Sequence, residues 1–426
     1  MSRAGSSDSM DRRTFLKTVI GGGVTMIVGH AQGAPGAKPN PAETISRAAA
    51  GRELAQHRIK TMTVCHLRDR FPRYVGRNAK GRPEGRGGGY QVRIITTDKG
   101  VRGWGMSHAK PDAVKQFVGA KLGDLFDMKN GVADDAFLLQ IPLYDLVGNV
   151  LRMPVYKLLG ANGPTAVPVY SGAIYFDDLE PPRTPRGVAG VIASCRQDYE
   201  AGYRAFKLKV GRCFKWMKGE PGLKRDIELV KAVHKQFPDC RVLVDANDGY
   251  TVDQAVRFVA EVADCDLYWF EEPFPEDRRK LTTLKKAMEK AGCKALIADG
   301  EARTECAKAP WTWGGYSRKH VKTNLDLATD GLIDAVVFDL GIVGFTRWAR
   351  VMPELKKLGV LASPHTWCWT PRPYYAAQLG AGVGNVCTVE GIPGAAKGVD
   401  YSAYTFDKKG NLIVPRTPGF GLTLTT

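Results

Sequence analysis

Eight short apolar runs, amphipathic helical stretches between them, and no glycine-rich turn after the first run together predict an α/β chain. The core of that chain is expected to be a parallel (β/α)8-type barrel, preceded by a small α+β domain. Continuous apolar runs of this length suit strands buried on both faces, which parallel sheets covered by helices require. A doubly wound sheet is the competing arrangement. It would need a glycine-rich turn opening a helix after its first strand, and the sequence has none there.

At the amino end, Asp11-Arg12-Arg13-Thr14-Phe15-Leu16-Lys17 precedes a mildly apolar, Gly-rich run from Thr18 to Ala31. This resembles a twin-arginine signal, with Asp11 where Ser or Thr is usual. The apolar run is too short to span a bilayer comfortably. Residues 1–37 are therefore expected to be a signal segment, and the protein to be periplasmic or otherwise exported, with no stable membrane insertion once the signal is removed. A chance basic start and an uncleaved anchor are the alternatives.

Residues 38–165 read as the α+β domain. Tyr90–Thr97 is strand-like and ends in the turn Asp98-Lys99-Gly100, and helical periodicity follows from Ala113. The loop between its first two strands is expected to carry Arg68, Arg70, Arg73, Arg77, Lys80, Arg82 and Arg86 against Asp69 and Glu84. A solvated charge run is the plain explanation. Gly87–Gly89 leads into a strand rather than a helix, so it lacks the context of a phosphate-binding loop.

The barrel is expected over 166–392, with strands at Val167–Tyr170, Ala205–Val210, Val242–Asp245 and Leu267–Glu271, then Ala295–Ala298, Ala335–Asp339, Val360–Ser363 and Asn385–Glu390. Leu223, Ile227, Val230, Val233 and Phe237 mark one helical face. Thr251 and Gln254 form a capping-box pattern before Val252, Val256, Val259 and Val262.

Catalytic groups of such barrels sit where strands end, and here those positions are polar. The second strand carries Lys207 and Lys209, alternate residues on one face. The third ends in Asp245 and Asn247, the fourth in Glu271 and Glu272, the fifth in Asp299, Gly300 and Glu301. Asp339, His365 and Glu390 follow on the last three. Each feature alone has a bland explanation. Together they would be prohibitive to bury unless they neutralised one another or bound a cation. Carboxylates from successive strands suit Mg²⁺, a hard ion taking about six oxygens.

Composition narrows the partners. The 426 residues hold 61 Lys and Arg against 44 Asp and Glu, a net charge of +17, which favours anions. Neither a nucleic-acid module nor basic residues interleaved with aromatics is present, so a small anionic substrate is expected, not nucleic acid. The nine cysteines stand singly without a CxxC pair, as buried free thiols do.

The strand-end residues resemble the enolase superfamily, and within it the mandelate racemase-like group that includes acid-sugar dehydratases. Leu143-Tyr144-Asp145-Leu146 and Pro154–Gly160 extend the resemblance into the first domain. The resemblance implies a modified TIM barrel, (β/α)7β, under an N-terminal α+β capping domain, with a tail over 393–426 returning to the cap. It implies Asp245, Glu271 and Glu301 as Mg²⁺ ligands, Lys207 and Lys209 as the lysine pair, Asp339 and His365 as a dyad, Glu390 as the strand-eight acid, and Asn247 facing substrate. Asp299 stands close enough to compete with Glu301 for the third ligand position. Lys209, beside Lys207 and a divalent cation, is expected to have a depressed pKa. Asp339, where muconate-lactonizing relatives place a lysine, favours the mandelate racemase-like arrangement. The implied reaction is Mg²⁺-dependent removal of the proton α to a carboxylate, with dehydration of a sugar acid to a 2-keto-3-deoxy acid favoured over racemisation or epimerisation of a 2-hydroxy acid. A homo-oligomer is implied as well. From another class, the alternative is a catalytically inactive polyanion-binding protein. A segment with Trp311, Trp313, Gly314 and Gly315 after Glu301 departs from the pattern.

Overall fold

The structure, a computed structural model, describes residues 45–301 and 318–425. The expected signal segment and the segment with Trp311 and Trp313 lie outside the described residues. Helix α1 (Arg47–Leu54) starts at Ser46, whose hydroxyl accepts from the Ala49 amide. Three antiparallel strands follow: β1 (Ile59–Arg70), β2 (Gly89–Thr97) and β3 (Arg102–Met106). Because β1 runs to Arg70, Arg68 and Arg70 belong to a strand and not to the loop expected to hold them. The helical pattern from Ala113 yields only single turns at Pro111–Val114 and Lys115–Phe117. Pairing with β1 prevails there: Ile59 N donates to Ala120 O and Gly119 N to Ile59 O.

Helix α2 (Gln140–Leu151) packs across this sheet at very close range. A Cβ on Gly103 would stand 2.3 Å from the Leu146 backbone nitrogen, so β3 can approach only as glycine there. Asp145 of α2 accepts from Trp104 N and Phe420 N, both at 2.9 Å, and Trp104 Nε1 donates to Leu422 O. The last residues of the chain are thereby bonded to the first sheet, and Ala395–Ala396 pairs with the end of β1.

Eight parallel strands come next: β4 (Ala166–Ile174), β5 (Ala205–Lys209), β6 (Arg241–Asp245), β7 (Trp269–Glu271), β8 (Leu296–Asp299), β9 (Ala335–Val336), β10 (Leu361–Ala362) and β11 (Val389–Gly391). Each pairs with its successor from β4 to β10, and β11 pairs parallel with β4. Cys387 N donates to Ala362 O, with a parallel bridge at Ala362–Val386, so the stretch before β11 lies beside β10. Every expected run forms a strand. β9 and β10 are short, but Val337 N to Asp299 O and His365 N to Phe338 O prolong the same direction up to a bridge between Asp339 and His365.

Strand alternation separates two cores. Phe206, Leu208, Val242, Val244 and Phe270 face the helices, while Tyr170, Leu243, Trp269, Ala298 and Val337 fill the interior. The surrounding helices are α3 (Gly187–Glu200), α4 (Glu220–Gln236), α5 (Val252–Glu261), α6 (Arg278–Ala291), α7 (Arg318–Thr329), α8 (Phe345–Lys357) and α9 (Arg372–Val383). The Thr251–Gln254 capping box forms with both bonds present. The buried face of α5 is Ala255, Phe258 and Val259, so Val252 and Val256 sit at its margin, a rotation the valine count did not anticipate. Among the described residues, no helix is long and apolar enough to cross a membrane.

Candidate active site

Register builds the site. Lys209 of β5 is paired with Asp245 of β6, Asp245 with Glu271 of β7, and Glu271 with Ala298 of β8. Three neighbouring strands therefore present charged side chains in one row, all pointing inward. On the next strand Ala298 keeps the row and Asp299 turns away from it. Gly300, at φ 116°, redirects the chain, and Glu301 is the residue brought to the cluster. Asp245, Glu271 and Glu301 each offer an oxygen within 4.8 Å of the others. Asp299 is outside that group, its Oδ1 accepting from Gly300 N.

This donor set fits a hard divalent cation. All three donors are carboxylates, two of them fully buried, and Glu301 Oε2 is a buried oxygen without a hydrogen-bond partner among the described residues. Burial pushes the Glu271 carboxyl up to about 8, and Glu272 well above its usual range. For Glu272, the carboxylates of Glu301, Asp248 and Asp245 add to the effect of burial. Such a concentration of acid favours positive charge among it.

Two lysines supply part of that charge. Lys207 Nζ, fully buried, lies 2.9 Å from Glu390 Oε1, 3.1 Å from Glu271 Oε2 and 3.5 Å from Asp245 Oδ2. Lys209 pairs with Asp245 and sits over the Tyr175 ring. The expected depression of the Lys209 pKa is not what the geometry produces. Burial, the largest influence, and Lys207 push it down, but Asp245, Glu301 and Glu271 together outweigh them and raise it. Lys209 shares Asp245 with the candidate metal site, so a cation there competes for the contact that holds the ammonium charged.

His365 and Asp339 form the expected pair. Nδ1 lies 2.9 Å from Asp339 Oδ2, while Asp339 Oδ1 accepts from Gly341 N and Ile342 N. That leaves Nε2 directed at Glu301 Oε1 (3.3 Å) and Glu390 Oε2 (3.4 Å). Burial disfavours the imidazolium, yet Glu301, Glu390 and Asp339 raise His365 to about 9. Asp339 stays at about 2 despite burial because Arg372 and His365 stand beside it. Glu390 is likewise held at about 2 against burial, by Lys207 and His365. Its Oε2 accepts from Thr366 N and Trp367 N, on the loop that carries His365.

Asn247 is at φ 44°, next to Asp248 at φ 58°, in the left-handed region that Asn and Asp tolerate best. Its backbone N–H donates to Asp245 Oδ1, and its own Oδ1 is buried without a partner among the described residues. Every residue expected from the sequence thus reaches the site or its edge.

The sequence reading missed other contributors. Arg372 Nη1 lies 3.1 Å from Asp339 Oδ2, yet it belongs to the start of α9 and not to a strand end. Phe71, Tyr175 and Trp367 make an aromatic wall from three parts of the chain, with centroids 5.7 and 5.0 Å apart. Glu84, counted only as a minority charge, feels Lys209 and Glu301. The basic loop also differs from expectation. Arg73 pairs with Asp198, Arg77 with Glu180 at 2.6 Å, and Lys80 with Asp248 at 3.0 Å. These cations dock the first domain onto Asp198 of α3 and onto Glu180 and Asp248 of the strand-end loops instead of standing ready for an anionic ligand.

The family described as Enolase C-terminal domain-like matches residues 190–309. The crystal structure of a galacturonate dehydratase mutant from Geobacillus sp., complexed with Mg, aligns at a TM-score of 0.77 with 30% identity, covering 87% of this chain and 94% of that one. The same enzyme has been solved with D-galacturonate and 5-keto-4-deoxy-D-galacturonate. A mandelate racemase/muconate lactonizing protein from Geobacillus sp. Y412MC10, complexed with magnesium and tartrate, aligns at 0.78 with 30% identity over 87% of this chain and 93% of that one. A 3,6-anhydro-alpha-L-galactonate cycloisomerase of Streptomyces coelicolor is 40% identical over 141 residues, 33% of this chain and 34% of that protein. The matches to the first two curated relatives span 34% and 52% of those proteins.

Proposed function

The chain belongs to the enolase superfamily, in its mandelate racemase/muconate lactonizing enzyme group, and from that premise we propose that it is a Mg²⁺-dependent hydro-lyase acting on a sugar acid. The observation that carries the reading is the carboxylate triad of Asp245, Glu271 and Glu301, met by Lys209 at one ligand and by His365 at another. In this reading the triad holds Mg²⁺, which supplies positive charge for the second negative charge that develops when a carboxylate loses its α-proton.

The side chains divide the rest of the work. Lys209, once neutral, takes the α-proton onto Nζ. Lys207 stays charged in its carboxylate cage and adds to the positive field. His365, charged and held in orientation by Asp339, donates from Nε2 to the departing β-hydroxyl, which leaves as water. The enol that remains tautomerises to the 2-keto-3-deoxy acid. A positioned acid or base supplies about 10²–10⁴-fold, a minor share of the 8–23 kcal/mol that enzymes typically remove, so the electrostatic share is large. The galacturonate dehydratase solved with D-galacturonate and 5-keto-4-deoxy-D-galacturonate supports dehydration, since the two compounds differ by one water lost across C4 and C5.

Racemisation or epimerisation is the second reading. It is favoured by one observation, that Lys209 and His365 approach the triad from different strands and so could serve opposite faces. A polyanion-binding role is disfavoured by the ion pairs that occupy Arg73, Arg77 and Lys80. The proposal includes a closed (β/α)7β barrel over 166–392, supported by the β11–β4 pairing, a cap over 38–165 and a returning tail over 393–426. It also includes export through residues 1–37, supported by Arg12 and Arg13, and assembly as a homo-oligomer. The test is a screen of sugar acids with Mg²⁺, starting with D-galacturonate, for keto-deoxy product. Product formation that EDTA abolishes supports dehydration; exchange or inversion at the α-carbon without product supports the racemase reading.

A further inference from the structure

Behind the triad lies a charged network that the proposed chemistry does not use. Arg212, only 1% exposed, follows Lys209 by three residues. Its Nη1 donates to the Lys209 carbonyl at 3.0 Å and to Asp226 Oδ1 at 2.6 Å. Nε lies 3.2 Å from each Asp178 oxygen and Nη2 2.7 Å from Oδ1, while the Phe176 ring covers the guanidinium at 4.0 Å. Asp226 of α4 completes the arrangement, its Oδ2 accepting from Gly211 N, Arg212 N and the Tyr250 hydroxyl.

Two loops therefore meet on the guanidinium, and a third joins them through Asp226, which accepts from Tyr250. Asp178 comes from the loop after β4, Arg212 from the loop after β5, and Tyr250 from the loop that begins at Asp245. The first loop also receives the cap, because Asp177 Oδ1 accepts from Gly76 N and Phe176 N donates to Arg77 O. A buried ion triad is weak evidence for stability, since well-packed apolar side chains often serve equally well. What the triad does provide is direction. Five N–H donors in a planar fork can hold a backbone carbonyl and two carboxylates at fixed angles, which a lysine cannot.

We infer that Arg212 is a positioning residue for Lys209. The last ladder bond beside Lys209 runs from Val210 N to Asp245 O at 2.8 Å, and beyond it β5 ends. At that point the Arg212 bond to the Lys209 carbonyl fixes the backbone from which the lysine stem springs. Small displacements there carry the ammonium out of line with a substrate carbon, and misplacement by about 1 Å can cost 10²-fold. His365 stands on another strand and is not touched by this network. The inference rests on the proton-abstraction reading above.

The test uses full-length protein with Mg²⁺ in ²H₂O, offered D-galacturonate and its C5 epimer L-altruronate, with NMR following exchange at C5. Lys209→Ala identifies the epimer whose exchange depends on Lys209. Arg212→Lys is expected to slow that exchange at least tenfold with little change in KM. Exchange of the other epimer should stay within about twofold, and amide protection over residues 209–213 should fall. Asp178→Asn, which spares the Nη1 bonds, gives the same selective loss to a smaller degree and covers the case in which Arg212→Lys does not fold. Equal loss on both epimers, or loss on neither, overturns the inference. Absence of both C5 exchange and keto-deoxy product with the unmodified protein overturns the proton-abstraction reading itself, and the inference with it.

Discussion

Lys209 and Asp339 serve the proposed chemistry in different ways, and each can be tested apart from the other. Lys209→Ala should fold and still bind Mg²⁺ while losing α-proton exchange on one face by about 10²–10⁴-fold. Isotope exchange checks this, and unchanged exchange would remove Lys209 from the mechanism. Asp339→Asn acts differently. It keeps the shape around His365 but removes one of the charges holding the imidazole at about 9. The His365 pKa should therefore fall, and the limb of the pH–activity profile that reports it should move to lower pH. Residue types at strand ends were legible in the sequence because alternation and barrel geometry both point them inward. Arg372 and Arg212 were not, since each acts across a fold contact: one reaches Asp339 from α9, the other curls back to a carbonyl three residues behind it.

At the scale of elements, local signals and packing constraints make different demands. The Thr251 cap was readable from two residue types at fixed spacing, and Thr251→Ala should cost about 1 kcal/mol in chemical unfolding without altering activity. Gly103→Ala should cost far more, about 3 kcal/mol or beyond, because its methyl would press on the Leu146 backbone. A melting temperature within a degree or two of the unmodified protein would contradict that. Nothing in the sequence near Gly103 signals the approach of α2, which begins 37 residues later. The short turns after Pro111 illustrate the same limit: helical periodicity was present, but backbone pairing with β1 decided the conformation.

In the whole molecule, cap, strand-end loops and tail meet at buried acids. Asp145 bonds Trp104 and Phe420, and burial raises it to about 7; Asp69 bonds Thr370 and is raised by burial to about 6. Both exceed the unfolded value near 3.8, so folding favours their protonated forms. Their contribution is fully present below about pH 4 and is lost as pH rises to about 7, at about 1.4 kcal/mol per unit of separation for each. Relative to the unmodified protein, Asp145→Asn should therefore be more stable at pH 8 than at pH 5, which denaturant titrations at the two values would reveal. The sequence showed the alternation of strands and helices because it recurs locally, whereas these joints depend on residues up to 301 positions apart. The shared row of Lys209, Asp245 and Glu271 has a consequence for how such a protein can change. A single-residue insertion inside β5, β6 or β7 would swing one charge from the interior to the helix layer. Loops at the mouth can lengthen and acquire new ligands freely, but the reacting groups can drift only by substitution, never by insertion.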